Sequence, residues 1–243
     1  MSPPARPWAV VTGASRGLGE VLARYLAGEG YDLILASRTA EALARAREPM
    51  LRLGGRVETV TGDLADPAVR RQLSETVHAR GSLDLLVNNA AVLGALPLPE
   101  LAGYPLAPLE SIWRTNVIAP LALVQALLRP LETGRGLVVN ISSDAALGGY
   151  PGWGGYGATK AALDLISLTL AHELAGRGVA VVSVDPGDMR TPGVEAALPA
   201  NELSGRPPPE VTLPFWAWLL HQERAGLSGH RFTAQSEQWE VPA

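Results

Sequence analysis

The sequence contains no cysteine, and only one of its 20 basic residues is a lysine. Without cysteine there can be no disulfide, no thiolate metal ligand and no thiol nucleophile, which agrees with a reducing cytoplasm. The histidines do not supply a metal site either, because His78, His172, His221 and His230 lack the spacing of metal ligands. Every other basic residue is an arginine. We therefore expect position 160 to require a compact amine whose pKa shifts readily.

The chain also lacks an excess of positive charge and lacks long apolar runs. Its formal net charge of −4 and pI near 5.6 give no broad basic surface, so neither nucleic acid nor an anionic membrane is an expected partner. The apolar run before Thr12 has four residues, too few for a signal peptide. The longest uncharged helical stretch, 115–128, has 14 residues and is too short to cross a membrane. We therefore expect a cytoplasmic protein.

Short apolar runs alternate with helical patterns along most of the chain. The runs predict buried strands at 8–12, 31–37, 56–61, 83–88, 136–142 and 179–185, with a seventh at 230–234. Apolar spacings of three and four predict helices at 19–30, 40–54, 65–81, 109–131 and 156–175. This order predicts an α/β fold, a doubly wound parallel sheet of about seven strands with helices on both faces, in a single domain spanning 1–243.

One segment interrupts this alternation. Residues 192–214 are rich in proline, glycine and alanine and predict a long irregular excursion, followed by an apolar helix at 215–223. Long loops in compact domains are often lids. Because the segment follows the carboxyl end of a predicted strand, where ligands of such sheets bind, we interpret 192–223 as a substrate lid in preference to a linker.

A glycine-rich turn, TGASRGLG at 12–19, directly follows the first predicted strand. A turn without Cβ atoms lets backbone N–H groups approach a pyrophosphate, and the start of the next helix adds partial positive charge. Its position after the first strand favours dinucleotide binding over a bare turn. The binding residues expected in this turn are Gly13, Ser15, Arg16, Gly17, Leu18 and Gly19.

The second predicted strand ends in Ser37 and Arg38, where sites for NAD often carry a carboxylate. A guanidinium fork suits a 2′-phosphate, and Arg16 can approach the same group from the glycine turn. The sequence therefore favours NADP(H) over NAD(H).

Tyr156 and Lys160 are four residues apart in the predicted helix 156–175, so their side chains share one helical face. An unperturbed tyrosine has a pKa of about 10, and a neighbouring ammonium would lower it, which would make the phenol a usable acid or base. Thirteen residues before Tyr156, Ser143 follows Ser142 at the end of the fifth predicted strand. Its hydroxyl could donate to a substrate oxygen.

Together these motifs resemble the short-chain dehydrogenase/reductase family in its single-domain branch, which has a Rossmann fold. The resemblance covers residues 8 to about 191. The motifs follow the family's order, with TGxxxGxG at 12–19, then Asp63-Leu64, NNAA at 88–91, Asn116, Ser143, Tyr156, Lys160 and PGDMRT at 186–191.

The resemblance implies roles for these residues. Tyr156 would be the catalytic acid/base, Lys160 would lower its pKa and bind the nicotinamide ribose, Ser143 would donate to the substrate oxygen, and Asn116 would hold a water in the proton relay. The implied cofactor contacts are Asp63 and Leu64 at the adenine, Asn89, Ala90 and Ala91 at the ribose, and Pro186, Gly187, Met189 and Thr191 at the nicotinamide amide.

The sequence departs from the family pattern in three places. Ala91 replaces a usual glycine beside the cofactor. Asp144, directly after the expected catalytic serine, is either a surface residue or a charge that disfavours anionic substrates. Beyond residue 191 the resemblance fades, and SGHRFTAQSEQW replaces the family's frequent carboxyl-terminal motif.

The expected activity is NADP(H)-dependent interconversion of a carbonyl and an alcohol by hydride transfer. Two alternatives stay open: a 3-oxoacyl-carrier-protein reductase, and a non-catalytic protein that senses NADPH. The expected partner is a small carbonyl or alcohol substrate, which Tyr150 and Trp153 could help to bind. By resemblance, the helices at 109–131 and 156–175 would pack across a two-fold axis in a homodimer or homotetramer.

Overall fold

The computed structural model describes residues 6–241, and its centre is one parallel sheet of seven strands. The strands are β1 (Trp8–Thr12), β2 (Asp32–Ser37), β3 (Val57–Thr61), β4 (Leu85–Asn88), β5 (Leu137–Ile141), β6 (Ala180–Asp185) and β7 (Arg231–Thr233). They lie in the order β3-β2-β1-β4-β5-β6-β7. All seven predicted strands are confirmed, and the chain crosses from one side of β1 to the other between β3 and β4.

Helices cover both faces of the sheet. They are α1 (Gly17–Gly28), α2 (Ala40–Leu51), α3 (Pro67–His78), α4 (Leu106–Trp113), α5 (Ala119–Gly134), α6 (Ala145–Gly148), α7 (Gly154–Leu174), α8 (Pro192–Ala197), α9 (Ala200–Leu203), α10 (Leu213–Leu220) and α11 (Arg224–Leu227). Each of the five helices predicted before residue 190 is present. This arrangement confirms the doubly wound fold.

Two apolar cores hold the helices to the sheet, one on each face. On one face Leu22 of α1 and Phe215 of α10 pack against strand residues such as Val11. On the other face Leu73 of α3 and Leu127 of α5 pack against the alternate residues of the same strands. The central strands are buried along their full length, which explains why they read as continuous apolar runs rather than alternating ones.

The predicted helix at 109–131 is longer and less regular than expected. Helical structure runs from α4 through a π-helical turn at Arg114–Ile118 into α5, so the continuous span is Leu106–Gly134. This span of 29 residues is long and apolar enough to cross a membrane by length and composition alone, unlike the shorter stretch 115–128. In this fold its inward residues Leu123, Leu127 and Leu131 belong to the core.

The segment 192–214 is more ordered than the sequence suggested. It contains α8, α9 and a 3₁₀ turn at Pro209–Thr212. The prediction of an irregular excursion was wrong because Pro192, Pro209 and Pro214 lie in first turns of helices, where a missing N–H costs little. Pro192 begins α8, and the Thr191 hydroxyl caps it by accepting from the Val194 N–H.

The glycine turn between β1 and α1 is tightly packed at Gly13 and Gly19. Gly13 and Gly17 have φ values of +67° and +58°, in the region that favours glycine. The Gly13 N–H donates to the Ala36 carbonyl at 2.8 Å, which ties the turn to β2. At Gly19 a Cβ would meet the Gly13 carbonyl oxygen and lie 2.5 Å from Asn89 Nδ2. This close packing places the start of α1 directly against the end of the sheet.

We therefore expect Gly19→Ala to lower the free energy of unfolding by about 1–3 kcal/mol, because the added methyl would overlap backbone that cannot move freely. Gly28→Ala in the same helix is the matched control, since a Cβ there meets nothing within 4 Å. The control should be unchanged or more stable by up to about 1 kcal/mol. Urea unfolding of the two variants checks this, and equal stability of the two would contradict the packing described.

Candidate active site

A cleft of about 460 Å³ opens at the edge of the sheet where the parallel strands end. It is lined by residues that follow each strand from β1 to β6 and by the first turns of α7. Nearly all the site residues predicted from the sequence line it. Of that set, Gly19 and Asn116 are not among the lining residues.

Two serines and two arginines form one end of the cleft. The hydroxyl oxygens of Ser15 and Ser37 are 2.6 Å apart and join the glycine turn to the end of β2. Arg16 and Arg38, each following one of these serines, are exposed and line the same end. Among residues 6–241 neither guanidinium is paired with a carboxylate. This end of the cleft therefore offers two unneutralised positive charges and several hydrogen-bond donors.

Thr12 connects the glycine turn to the NNAA segment. Its hydroxyl accepts from the N–H groups of Asn89 (2.9 Å) and Ala90 (3.0 Å) and donates to the Val87 carbonyl. The Asn89 side chain in turn donates from Nδ2 to the Thr12 carbonyl at 2.9 Å. The loops after β1 and β4 therefore form one rigid unit, and Ala91 lines the cleft at its edge.

The loop after β3 completes the cofactor end. Asp63 accepts from the Ala65 N–H at 2.8 Å, which folds the loop back on itself, and Leu64 beside it is buried. Both residues line the cleft, as their predicted contact with an adenine requires.

Lys160 lies at the other end and is buried, with 2% of its surface exposed. Its Nζ donates to the Ile141 carbonyl at 2.6 Å, at the carboxyl end of β5, and lies 5.4 Å from the centre of the Tyr156 ring. A guanidinium is too wide and too rigid for a buried position with one backbone acceptor. The structure thus gives a physical reason for the single lysine.

Tyr156 is half-buried and is brought to Ser143 by close helix packing. At Gly157 a Cβ would overlap the Ala145 carbonyl oxygen, so only glycine lets α7 approach α6 this closely. Trp153 contacts the Tyr156 ring edge-on, with ring centres 5.9 Å apart. Ser143, Tyr156 and Lys160 therefore lie together in the cleft, as the sequence predicted.

The protonation behaviour differs from the expectation. Burial raises the pKa of the Tyr156 phenol well above its ordinary value, the carboxylates of Asp185 and Asp144 raise it further, and a hydrogen bond with Ser143 lowers it. Burial also lowers the pKa of Lys160 to about 8, against the opposing effect of Asp164. The net shift is thus opposite in direction to the lowered pKa expected beside Lys160, whose Nζ is held at the Ile141 carbonyl, and the effect of Lys160 on the phenol stays a prediction.

Asn116 is fully buried in the π-helical turn, and its side-chain amide is committed to the protein. Its Oδ1 accepts from the Val92 N–H, and its Nδ2 donates to the Val92 carbonyl, each at 2.9 Å, and to the Thr159 hydroxyl at 3.1 Å. The Thr159 hydroxyl in turn donates to the Tyr156 carbonyl at 2.7 Å. Asn116 therefore joins the loop after β4 to the helical turn that carries Tyr156.

Asp144 lies within the substrate end of the cleft rather than away from it. Its Oδ1 accepts from the Ser143 hydroxyl at 3.0 Å, and its hydrogen bond with Tyr150 raises the pKa of that tyrosine. Within residues 6–241 no arginine or lysine forms an ion pair with it. Asp144 is exposed and also lines the cleft, so it is a surface residue, and an effect on substrate charge stays a prediction.

The loop after β6 is held from both sides. Asp185 is buried and accepts from the Gly187 N–H at 3.0 Å. Gln235 Nε2, beyond β7, donates to the carbonyls of Pro186 (3.0 Å) and Asp188 (2.8 Å). The predicted contacts Pro186, Gly187, Met189 and Thr191 all line the cleft. Sequence reasoning missed Asp185 and Gln235, since neither belongs to a local motif.

A buried polar chain beneath the catalytic end was also missed. Asn88 Nδ2 donates to Asn140 Oδ1 at 2.8 Å, Asn140 Nδ2 donates to the Ser167 hydroxyl at 2.7 Å, and that hydroxyl donates to the Leu163 carbonyl. The chain links β4 and β5 to α7. The only sequence signal was a polar residue at the end of each apolar run.

The segment after β6 closes one side of the cleft. Its lining residues are Pro192, Gly193, Val194, Leu198, Glu202 and Arg206. The Arg206 guanidinium contacts the Asp188 carboxylate, and the Arg190 N–H donates to the Pro207 carbonyl at 2.8 Å. These contacts hold residues 206–207 of the segment beside the loop 186–191.

Comparison with known proteins agrees with this geometry. A sequence model of the family described as short chain dehydrogenase matches residues 7–202. Serine 3-dehydrogenase of Agrobacterium fabrum is 37% identical over 185 residues, covering 75% of this chain and 72% of the relative. Ketoacyl reductase HetN of Nostoc is 34% identical over 203 residues, covering 81% of this chain and 69% of the relative.

Solved structures give the same result. A short-chain dehydrogenase from Shigella flexneri, crystallised in complex with NADP, superimposes with a TM-score of 0.88 at 28% identity, covering 95% of this chain and 97% of that one. The matched family model, the curated relatives and the shared sheet with its cleft lead to one conclusion: the chain belongs to the short-chain dehydrogenase family of oxidoreductases.

Proposed function

We propose that the protein is an NADP(H)-dependent oxidoreductase that interconverts a small carbonyl compound and its alcohol. One observation carries the proposal. Ser143, Tyr156 and Lys160 line the same cleft whose opposite end carries Arg16 and Arg38. A hydroxyl donor, a phenol and an amine at one end suit proton transfer to oxygen, and the two arginines at the other end suit a phosphate.

The residues of the cofactor end fit a dinucleotide with a 2′-phosphate. At Gly13 a Cβ would lie 2.8 Å from Asn89 Nδ2, so the turn leaves backbone N–H groups accessible at the start of α1, where an anion is favoured. β2 ends at Ser37 and is followed by Arg38, where a carboxylate would hold ribose hydroxyls and repel a phosphate. The NADP complex of the Shigella flexneri relative supports the same preference.

The chain's own groups manage the proton and the substrate oxygen. When bound, the cofactor would give or take a hydride. Ser143 would donate to the substrate oxygen, and Tyr156 would transfer the proton to it or from it. Because burial raises the pKa of Tyr156, the phenol is protonated near neutral pH and is ready to donate. This protonation state suits reduction of the carbonyl.

Lys160 and Asn116 would support Tyr156 in different ways. Lys160 would hold the nicotinamide ribose and place positive charge behind the phenol ring. Asn116 already uses both amide hydrogens on Val92 and Thr159, so its side chain cannot donate to a relay water. If a water is held there, a main-chain carbonyl would hold it, and the Asn116 side chain would keep the helix and loop in place.

The substrate end suits an uncharged or cationic molecule of modest size. Leu93, Trp153 and Leu198 give it apolar walls, and Asp144 puts an unneutralised carboxylate beside Ser143. An anionic group near the carbonyl would meet this charge at short range. We propose that the segment 192–223 acts as the lid over this end and belongs to the same single domain.

Assembly and location complete the proposal. Ile118 on the π-helical turn and Leu165 and Leu168 on α7 are exposed, which suits packing of these helices across a two-fold axis in a homodimer or homotetramer. The absence of cysteine supports a cytoplasmic location.

A 3-oxoacyl-carrier-protein reductase is the second candidate. The 34% identity to Ketoacyl reductase HetN favours it, and the apolar wall of the substrate end could accept an acyl chain. Turnover of an acyl thioester at a rate above that of simple ketones would identify it. Tight NADPH binding without turnover of any substrate would instead identify a sensor.

We expect Tyr156→Phe to bind NADPH within about twofold of the wild type and to lose about 10²–10⁴-fold in kcat, because it lacks only the transferable proton. Tyr150→Phe is the matched control, since Tyr150 lines the same cleft but lies at its exposed margin. The control should keep kcat within about tenfold. Steady-state reduction of a ketone panel and fluorescence titration measure both properties. Undiminished reduction by Tyr156→Phe would remove the proposed mechanism.

We expect Arg38→Ser to weaken NADPH binding by about 10–100-fold and to leave NADH binding within about twofold, because only NADPH carries the 2′-phosphate. Arg45→Ser, at an exposed arginine of α2 outside the cleft, should change neither. Fluorescence titration with both nucleotides checks this. An equal loss for both nucleotides, or tighter binding of NADH by the wild type, would show that the arginines do not select the cofactor.

We expect Asp144→Asn to raise kcat/KM for a keto acid by about tenfold relative to a neutral ketone of the same length, because the amide keeps an acceptor for Ser143 but removes the charge. The neutral ketone is the internal control. The ratio of kcat/KM for the keto acid to kcat/KM for the ketone is measured at low and at high salt. The increase caused by the substitution should be larger at low salt, where charges are less screened. A ratio that does not change would place Asp144 outside the selection of substrate charge.

A further inference from the structure

Arg231 connects three segments of the site from the part of the chain where the family resemblance fades. Its side chain, on β7, is 25% exposed. Its Nε donates to Asp164 Oδ2 at 3.0 Å, and its Nη2 donates to the Ser143 carbonyl at 2.9 Å and to Asp185 Oδ2 at 3.2 Å. The partners are 67, 88 and 46 residues away in sequence. One guanidinium therefore joins three segments that are distant from it and from one another in sequence.

Each of these partners adjoins a group of the catalytic end. Ser143 carries the hydroxyl proposed to bind the substrate oxygen. Asp164 lies one helical turn beyond Lys160 on α7, and its negative charge acts to raise the pKa of that amine. Asp185 accepts from the Gly187 N–H with its other oxygen and so fixes the start of the loop 186–191. Arg231 thus contacts the neighbours of the substrate, of the amine and of the nicotinamide.

The contacts require the geometry of arginine. Nε and Nη2 lie on one planar fork and donate in fixed directions, whereas a lysine ammonium is a single point and could replace only one of the donors fully. β7 has three residues and pairs with β6 alone, with Arg231 opposite Ser183. A side chain at this position is therefore well placed to brace the loop after β5 against the edge of the sheet.

We propose that Arg231 is a positioning residue that holds the main chain at Ser143, so that the Ser143 hydroxyl faces the substrate oxygen beside Tyr156. The inference rests on the proposed oxidoreductase function. Arg231 acts through Ser143 and does not contact the substrate, since it lies outside the lining of the cleft. It also keeps the buried Asp185 carboxylate neutralised, which limits the negative charge that acts on Tyr156.

Kinetics of two variants and their combination test this role. We expect Arg231→Lys to lose at least about tenfold in kcat with NADPH affinity within about twofold, because the charge remains and the fork is lost. Arg177→Lys, at the exposed ion pair with Glu132, is the matched control and should behave as the wild type. If Arg231 acts through Ser143, Ser143→Ala combined with Arg231→Lys should be no slower than Ser143→Ala alone.

The outcomes separate the inference from the proposed function. The inference would be overturned if the fold-losses in kcat of the two single variants multiplied in the double variant, since the two residues would then act independently. A kcat of Arg231→Lys within twofold of the wild type would also overturn it. A fall in kcat matched by an equal fall in NADPH affinity would show a structural role only. Absence of wild-type turnover with every ketone and thioester would instead remove the proposed function.

Amide hydrogen exchange tests the positioning role without any substrate. We expect Arg231→Lys to speed exchange across residues 142–148 by at least about fivefold, because the carbonyl at Ser143 loses its anchor, while exchange in α1 stays as in the wild type. Arg177→Lys should leave the segment 142–148 unchanged. Unchanged exchange there in Arg231→Lys would overturn the inference even for a protein that turns over no compound.

Discussion

The end of the cleft that is lined by Ser143, Tyr156 and Lys160 depends on keeping one amine buried at the end of β5. Desolvating an ammonium costs several kcal/mol unless it is paired and hydrogen-bonded. For Lys160, the hydrogen bond to the Ile141 carbonyl and the negative charge of Asp164, one turn away, offset part of this desolvation energy. Burial lowers the pKa of Lys160 to about 8 and the charge of Asp164 opposes that shift, so the compensation is incomplete.

Placing that amine constrains the surrounding structure. α7 has to lie close to the loop after β5, which requires Gly157 beneath the Ala145 carbonyl. The Asn88–Asn140–Ser167 chain fixes the same helix against β4 and β5, and Asn116 and Thr159 fix its first turns. Tyr156 therefore reaches the cleft as a consequence of several contacts that hold α7, and not through its own hydrogen bonds alone.

The sequence predicted those parts of the molecule whose signals are local. Buried strands appear as apolar runs, the glycine turn appears as a motif, and Tyr156 and Lys160 are related by one helical turn. Arg231 carries no such signal, because its partners are distant in sequence and a lone arginine is usually a solvated charge. The π-helical turn at Arg114–Ile118 and the short helices after β6 were missed for a related reason, since tertiary contacts decide them. The upward shift of the Tyr156 pKa depends first on burial and then on the charge of Asp185, and folding brings about both.

The two halves of the cleft are built by different means, and this difference has a functional consequence. The half proposed to bind the cofactor is formed by the glycine turn, by Ser15, Arg16, Ser37 and Arg38, and by the loops after β1 and β4, which Thr12 and Asn89 lock together. The substrate half is formed by side chains on α6, on the first turns of α7 and on the short helices after β6. Side chains there can change without disturbing the sheet edge. Substrate choice can therefore vary while the geometry that positions the cofactor, Tyr156 and Lys160 is retained.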